Sequence, residues 1–150
     1  MIVRILHWSS RLILAGVFLY SGYVKVQSPL QFAANLTSYQ LFPSDIIQPM
    51  VRYLPWTETA LGFFLLIGWK TRYFAAAAAA LLSIFALVLL VTYFRGIEAD
   101  CGCFGPGDRI SPLTITRDAL FLVPAVFLAA EAKIRIMGIP FTPVPPICRK

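Results

Sequence analysis

The sequence predicts an all-α integral membrane protein, a four-helix bundle of up-down-up-down spans with a short interfacial helix between spans one and two. Three observations carry that expectation. Of 150 residues, 59% are hydrophobic and only 13% charged, whereas about a quarter of a soluble domain is charged. The mean hydropathy is +0.76, more apolar surface than a water-soluble fold of this length can hide, so the lipid bilayer is the expected solvent. Long apolar stretches then recur along the chain, set apart by short polar or basic segments.

Ile5 to Val24 reads as the first span, interrupted by His7, by Trp8 at interface level and by Arg11, and closed by Lys25. Gln27 to Pro49 is a more polar connector with three prolines, Pro29, Pro43 and Pro49. Within it, Leu30 to Leu41 spaces Leu30, Phe32, Ala33, Leu36, Tyr39 and Leu41 among polar residues, the pattern of a helix lying in the interface. The second span runs from about Val51 to Trp69, with Glu58 inside it and Trp56 and Trp69 as anchors. Lys70-Thr71-Arg72 is a tight basic turn.

Tyr73 to Phe94 carries no charge, and as a helix its length of about 33 Å is enough to cross. Its run Ala75 to Ala80 favours helix and close approach by a neighbour, so it reads as a packing face. A loop from Arg95 to Pro112 follows. The fourth span, about Leu113 to Ala130, opens with Arg117 and Asp118 and ends at Glu131, Lys133 and Arg135. Residues 1–136 form one expected membrane domain, and 137–150 a Pro-rich cytoplasmic tail, extended rather than helical. No internal repeat or second domain is visible, and the first apolar segment reads as a retained anchor rather than a cleavable signal.

The net charge of +6 and pI near 9.6 would suit nucleic acid in a soluble protein. Here the basic residues lie near helix ends, where they fix membrane orientation, and no nucleic-acid partner is expected. Arg4, Arg11, Lys70, Arg72, Lys133, Arg135, Arg149 and Lys150 are eight of the thirteen cations and fall on one side. Lys25, Arg52, Arg95, Arg109 and Arg117 fall on the other. That bias predicts a bacterial cytoplasmic (inner) membrane protein with both termini cytoplasmic and the Arg95–Pro112 loop outside.

The loop holds Asp100-Cys101-Gly102-Cys103-Phe104-Gly105. Three cysteines are too few for a disulfide framework, and a single histidine removes most metal-ligand spacings, so no metal is expected. Two cysteines separated by one glycine instead suggest a dithiol/disulfide centre, and the outer face is where disulfides persist. Bridging requires Cα atoms within roughly 4.4–6.8 Å, so the segment must turn tightly, a task for Gly102, which bears no Cβ. A bridge in so small a ring is expected to be strained and labile. The competing reading is two unrelated reduced thiols.

Antiparallel spans would gather Ser21, Lys25, Glu58, Asp100, Cys101, Cys103, Arg117 and Asp118 into one outer layer. Charges inside a span are costly and are usually paired, and Lys25 or Arg117 is the expected partner of Glu58. That pair is either an ion-pair clasp fixing helix register or a device that also tunes the thiols, since a nearby cation favours the thiolate and an acid disfavours it. Asp100 adjoins Cys101, so Cys103 is the expected attacking thiol. His7 stands on the opposite side as a surface or interfacial residue, Arg11 is expected to snorkel, and Cys148 lies across the membrane from the loop.

These residues resemble the DoxX-like membrane proteins and, within them, the MauE branch. The resemblance covers roughly Arg11 to Val126 and runs through Arg11, Ser21-Gly22, Lys25, Pro29, Phe32, Glu58, Gly62, Gly68, the 100–105 motif and Arg117-Asp118. The loop motif is its most specific part. The resemblance implies a four-helix membrane protein tied to maturation of methylamine dehydrogenase, whose small subunit is rich in disulfides, often beside a thioredoxin-like partner. Other DoxX relatives imply a link to quinone-coupled oxidation of sulfur compounds.

The leading expectation is therefore a membrane thiol–disulfide redox protein, a thiol–disulfide oxidoreductase in which Cys101 and Cys103 are catalytic at the outer face. Lys25, Glu58, Asp100, Arg117 and Asp118 would support them, and the role would be disulfide formation or maturation of an exported partner. Electrons would pass to a membrane quinone, with Tyr93, Phe94 and Phe104 near enough to line its pocket, or to a periplasmic thioredoxin-like protein or disulfide-rich client. Two alternatives stand beside it. One is a non-catalytic membrane assembly factor or scaffold with a structural disulfide, the other a subunit of a quinone-linked oxidoreductase.

Overall fold

In the computed structural model the chain forms five helices: α1 (Ile2–Gln27), α2 (Pro29–Ser38), α3 (Ser44–Ile67), α4 (Thr71–Phe94) and α5 (Pro112–Ile136). The structure describes residues 2–102 and 107–136. Cys103, Phe104 and the Pro-rich segment 137–150 with Cys148 lie outside the described residues.

The four long helices and the short α2 occur in the expected order, with shifted ends. The largest shift is at α3, which begins at Ser44 and not near Val51. Pro49 was expected to close the connector, yet it lies inside the helix, as does Pro55. An interior proline removes one backbone hydrogen bond, yet α3 runs through both; Pro49 is exposed and Pro55 buried. Glu58 consequently sits about four turns into its helix rather than two. By length and composition, Thr71–Phe94 and Pro112–Glu131 are apolar enough to cross a membrane. The other two long helices, α1 and α3, are interrupted by Arg4, Arg11 and Lys25 and by Asp45, Arg52 and Glu58.

Helix α1 lies along α3, and α4 along α5. The first pair closes through glycine. A Cβ on Gly22 would run into Thr59 Oγ1, and one on Gly62 would meet Leu19 Cγ at 2.8 Å and Ala15 O at 3.0 Å. Residues ascending α1 therefore face residues descending α3, and the two helices are antiparallel at near backbone contact. The alanine run does what its composition predicts: Ala75 and Ala78 are fully buried, packed in one core cluster with Leu14, Phe18, Leu65, Ala125 and Leu128.

A second cluster forms the floor of the cysteine loop. Phe32, Leu36 and Tyr39 of the α2 segment pack with Leu89 of α4 and with Ala99 and Cys101. Helix α2 is thus more than an interfacial strip; its apolar face is buried by the loop. Ser111 then starts α5, its Oγ accepting from Thr114 N at 3.2 Å just ahead of Pro112 at the first helical position.

Candidate thiol site at the Cys101 loop

Three polar groups meet at the loop end of the helices. The first is the expected pair. Lys25 Nζ lies 2.6 and 2.7 Å from the two oxygens of Glu58 and donates to Ser21 Oγ at 2.9 Å. Ser21 Oγ in turn donates to Glu58 Oε2 at 3.1 Å. All three ammonium donors have acceptors, which a buried charge requires. The Phe32 and Phe85 rings stand 5.2 and 5.3 Å from Nζ and close off solvent. Of the two candidate partners for Glu58, Lys25 is the one that bonds it.

Arg117 serves the second group. Its Nη2 is 2.8 Å from Asp108 Oδ2 and its Nε 3.3 Å from Asp118 Oδ1. The same Nη2 stands 3.9 Å from Cys101 Sγ. Asp118 turns its other oxygen to that sulfur, with Sγ to Oδ2 3.7 Å. Cys101 is fully buried and Asp118 nearly so. A thiol, a carboxylate and a guanidinium are therefore gathered in one shielded place.

The third group is the loop backbone. Gly102 has φ +69, the left-handed region that glycine enters without steric cost, and a side chain there would strike Asn35 Nδ2 at 2.7 Å. Asp100 pairs with Arg109 in a single antiparallel bridge, and Cys101 N donates to Asp108 O at 2.7 Å. Tyr39 Oη reaches across from the end of α2 to Cys101 O at 2.7 Å and Asp100 O at 3.0 Å. Sequence reasoning placed Tyr39 on the apolar face of the short helix and missed this clamp. It also missed Asn35 and Asp108, which become visible only once the loop folds back.

The carboxylate that meets Cys101 Sγ is thus Asp118. Asp100 Oδ2 accepts instead from Gly107 N at 3.2 Å, inside the loop. Between the Lys25–Glu58 group and Asp118 lies a cavity of about 30 Å³, lined by Val17, Phe18, Ser21, Lys25, Glu58, Leu81, Leu82, Phe85, Asp118 and Phe121. Tyr93 and Phe94, expected near a quinone, point outward and are exposed; the aromatic lining comes from Phe18, Phe85 and Phe121. Among the described residues, no group of three or more His, Cys, Asp or Glu side chains is placed to hold a metal ion.

At the other end of α1, His7 does not stand alone. Its Nδ1 is 2.6 Å from Glu131 Oε2, linking α1 to α5. Arg11 turns towards the end of α3, donating from Nη2 to Leu66 O at 3.1 Å and covering the Trp8 ring at 4.2 Å.

The family model described as "Methylamine utilisation protein MauE" matches residues 3–131. The chain belongs to the MauE family. It is 27% identical over 130 residues to the methylamine utilization protein MauE of Methylophilus methylotrophus, a match covering 86% of this chain and 66% of the relative. It is 29% identical over 125 residues to the MauE of Paracoccus denitrificans, covering 81% of this chain and 67% of the relative. The chain thus spans about two thirds of the length of these MauE relatives. No solved structure matches it significantly. These findings bear on MauE alone; the wider DoxX-like kinship rests on the resemblance carried by the motif residues.

Proposed function

We propose that this MauE-family chain is a membrane thiol–disulfide exchange protein working through Cys101 and Cys103. The observation that carries the reading is the Cys101 environment. A fully buried sulfur lies beside one carboxylate and one guanidinium, with its peptide held on both sides by Asp108 and Tyr39. Charged neighbours are costly in the interior and serve to adjust a reactive group. A partner cannot approach a buried sulfur, so Cys103 makes the attack and Cys101 resolves the mixed disulfide. Lys25 and Glu58 fix the register of α1 on α3, while Asp100, Arg117 and Asp118 hold and tune the loop.

The same reading makes the four long helices an up-down-up-down bundle in the bacterial inner membrane, residues 1–136 forming the domain. Both termini and the 137–150 tail would be cytoplasmic and the cysteine loop outside. Exposed apolar residues on every long helix support it, among them Leu12, Ile13, Phe63, Ile67, Ile84, Leu87, Leu120 and Val123. Patches of that extent ask for lipid. The electron partner is a periplasmic thioredoxin-like protein or a disulfide-rich client, in keeping with the methylamine-utilisation role named for the relatives. A membrane quinone is the other candidate acceptor; the cavity between Lys25–Glu58 and Asp118, about 30 Å³, is far below the roughly 300 Å³ at which ligand pockets begin, so a quinone would have to sit elsewhere on the loop end.

The test is the redox state of the two cysteines in membranes, trapped by acid and alkylation with and without a mild dithiol reductant. Exchange predicts a bridge that opens under mild reduction and re-forms on its removal. A bridge that resists reduction would instead make this a scaffold with a structural disulfide.

A further inference from the structure

The carboxylate of Asp118 has one oxygen committed to Arg117 and the other turned to Cys101 Sγ at 3.7 Å. Resolution by Cys101 needs its proton removed, because the thiolate is the nucleophile. Bulk water cannot accept that proton, since the sulfur is fully buried. Asp118 is the carboxylate in contact with it. The groups facing Asp118 are Arg117 on its own helix, Asp108 and Cys101 from the loop, and Lys25 and Glu58 across the cavity. That cavity, about 30 Å³, exceeds the roughly 10–15 Å³ a water needs, and Asp118 is one of its polar lining groups.

Resting on the exchange reading, we propose that Asp118 is a catalytic residue, the proton acceptor for Cys101 in the resolving step. Cys103 first attacks a partner disulfide, which is the oxidant, and one partner thiolate leaves. Cys101 then transfers its proton to Asp118 Oδ2, and the thiolate attacks the Cys103 sulfur of the mixed disulfide. The Cys101–Cys103 bond forms, the bond from Cys103 to the partner breaks, and the second partner sulfur leaves with the electron pair. The proton follows it from Asp118. In the opposite direction Asp118 donates the proton to the departing Cys101.

The experiment uses reduced full-length protein in detergent, in a Cys148→Ser background, with 5,5′-dithiobis(2-nitrobenzoate) as the disulfide probe. Thiolate release should show two phases, attack by Cys103 and then resolution by Cys101. Asp118→Asn should slow the second phase by on the order of 10²-fold, the size of a general-base contribution, and the first by far less. Asp118→Glu, which keeps an acid, should recover most of the rate. An unchanged second phase in Asp118→Asn would overturn the proposal, as would equal slowing of both phases or equal loss in Asp118→Glu. Cys101→Ser reports on the underlying reading separately: a second phase that survives it means that Cys101 does not resolve, whatever Asp118 does.

Discussion

The two ends of α1 are each tied to another helix through a buried or part-buried carboxylate, and the ties are built differently. Lys25 and Glu58 have side-chain exposures of 1% and 6%, a double contact between charges and a serine filling the last donor. His7 and Glu131 have 23% and 13%, joined by His7 Nδ1 and Glu131 Oε2 at 2.6 Å. Both tie α1 to another helix, but the first also lines the cavity that Asp118 borders. The comparison separates a part-buried link between two helices from an enclosed one that also lines a cavity. Depth decides the difference: a buried pair is nearly irreplaceable by halves, while a shallow one adds little.

The largest effect should come from splitting the deep pair. Glu58→Gln should lower stability by about 3–5 kcal/mol, the usual result of stranding one buried charge, read as a fall in thermal midpoint in detergent. Adding Lys25→Met should restore much of it. A Glu58→Gln protein as stable as wild type would show that Lys25 is hydrated and the clasp open.

Next in size is the helix contact that aligns this pair. Gly62→Val should cost about 1–3 kcal/mol through overpacking, since a Cβ there already meets Leu19 and Ala15. At Gly16 a Cβ would meet nothing within 4 Å, so alanine should be accepted at little cost in the same melt.

Of similar size is the clamp on the loop. Tyr39→Phe deletes the hydroxyl that serves Asp100 O and Cys101 O, leaving buried carbonyls short of a partner at about 1–3 kcal/mol. Alkylation of Cys101 should speed up at least as much as the melt suggests; unchanged alkylation would mean that Asp108 alone holds the loop. The least effect belongs to the shallow pair. His7→Ala should change stability by no more than about 1 kcal/mol and should leave thiol kinetics untouched.

Much of this was legible in the sequence because it is a matter of composition and register. Glu58 in an apolar run demanded a cation, and Lys25 at the end of the preceding span was one of two choices. The start of α3 was not legible, because Pro49 reads as a stop signal, whereas the helix runs through it from Ser44. Tyr39 could not be assigned either. Its hydroxyl meets acceptors 61 and 62 residues away, brought near only when the loop folds over α2. The link from His7 to Glu131 crosses 124 residues for the same reason. Asp100 was expected to be the acid at the sulfur because it is next in sequence, yet the backbone directs its side chain to Gly107 and leaves Asp118, seventeen residues on, at Cys101.

Sidedness follows from the same frame. After reduction, a membrane-impermeant thiol reagent on intact cells should label the Cys101/Cys103 pair, chiefly at Cys103, and spare Cys148. Labelling of Cys148 alone would put the loop in the cytoplasm.

The most direct test of the central claim is covalent trapping in cells. Cys101→Ser and Cys103→Ser should behave asymmetrically, because the attacking thiol needs an open approach and the resolving thiol only proximity. Cys101→Ser should accumulate a reductant-sensitive adduct with a partner protein, and Cys103→Ser should not. Adducts absent from both mutants, under conditions where wild type is active, would contradict exchange and leave a structural bridge in its place.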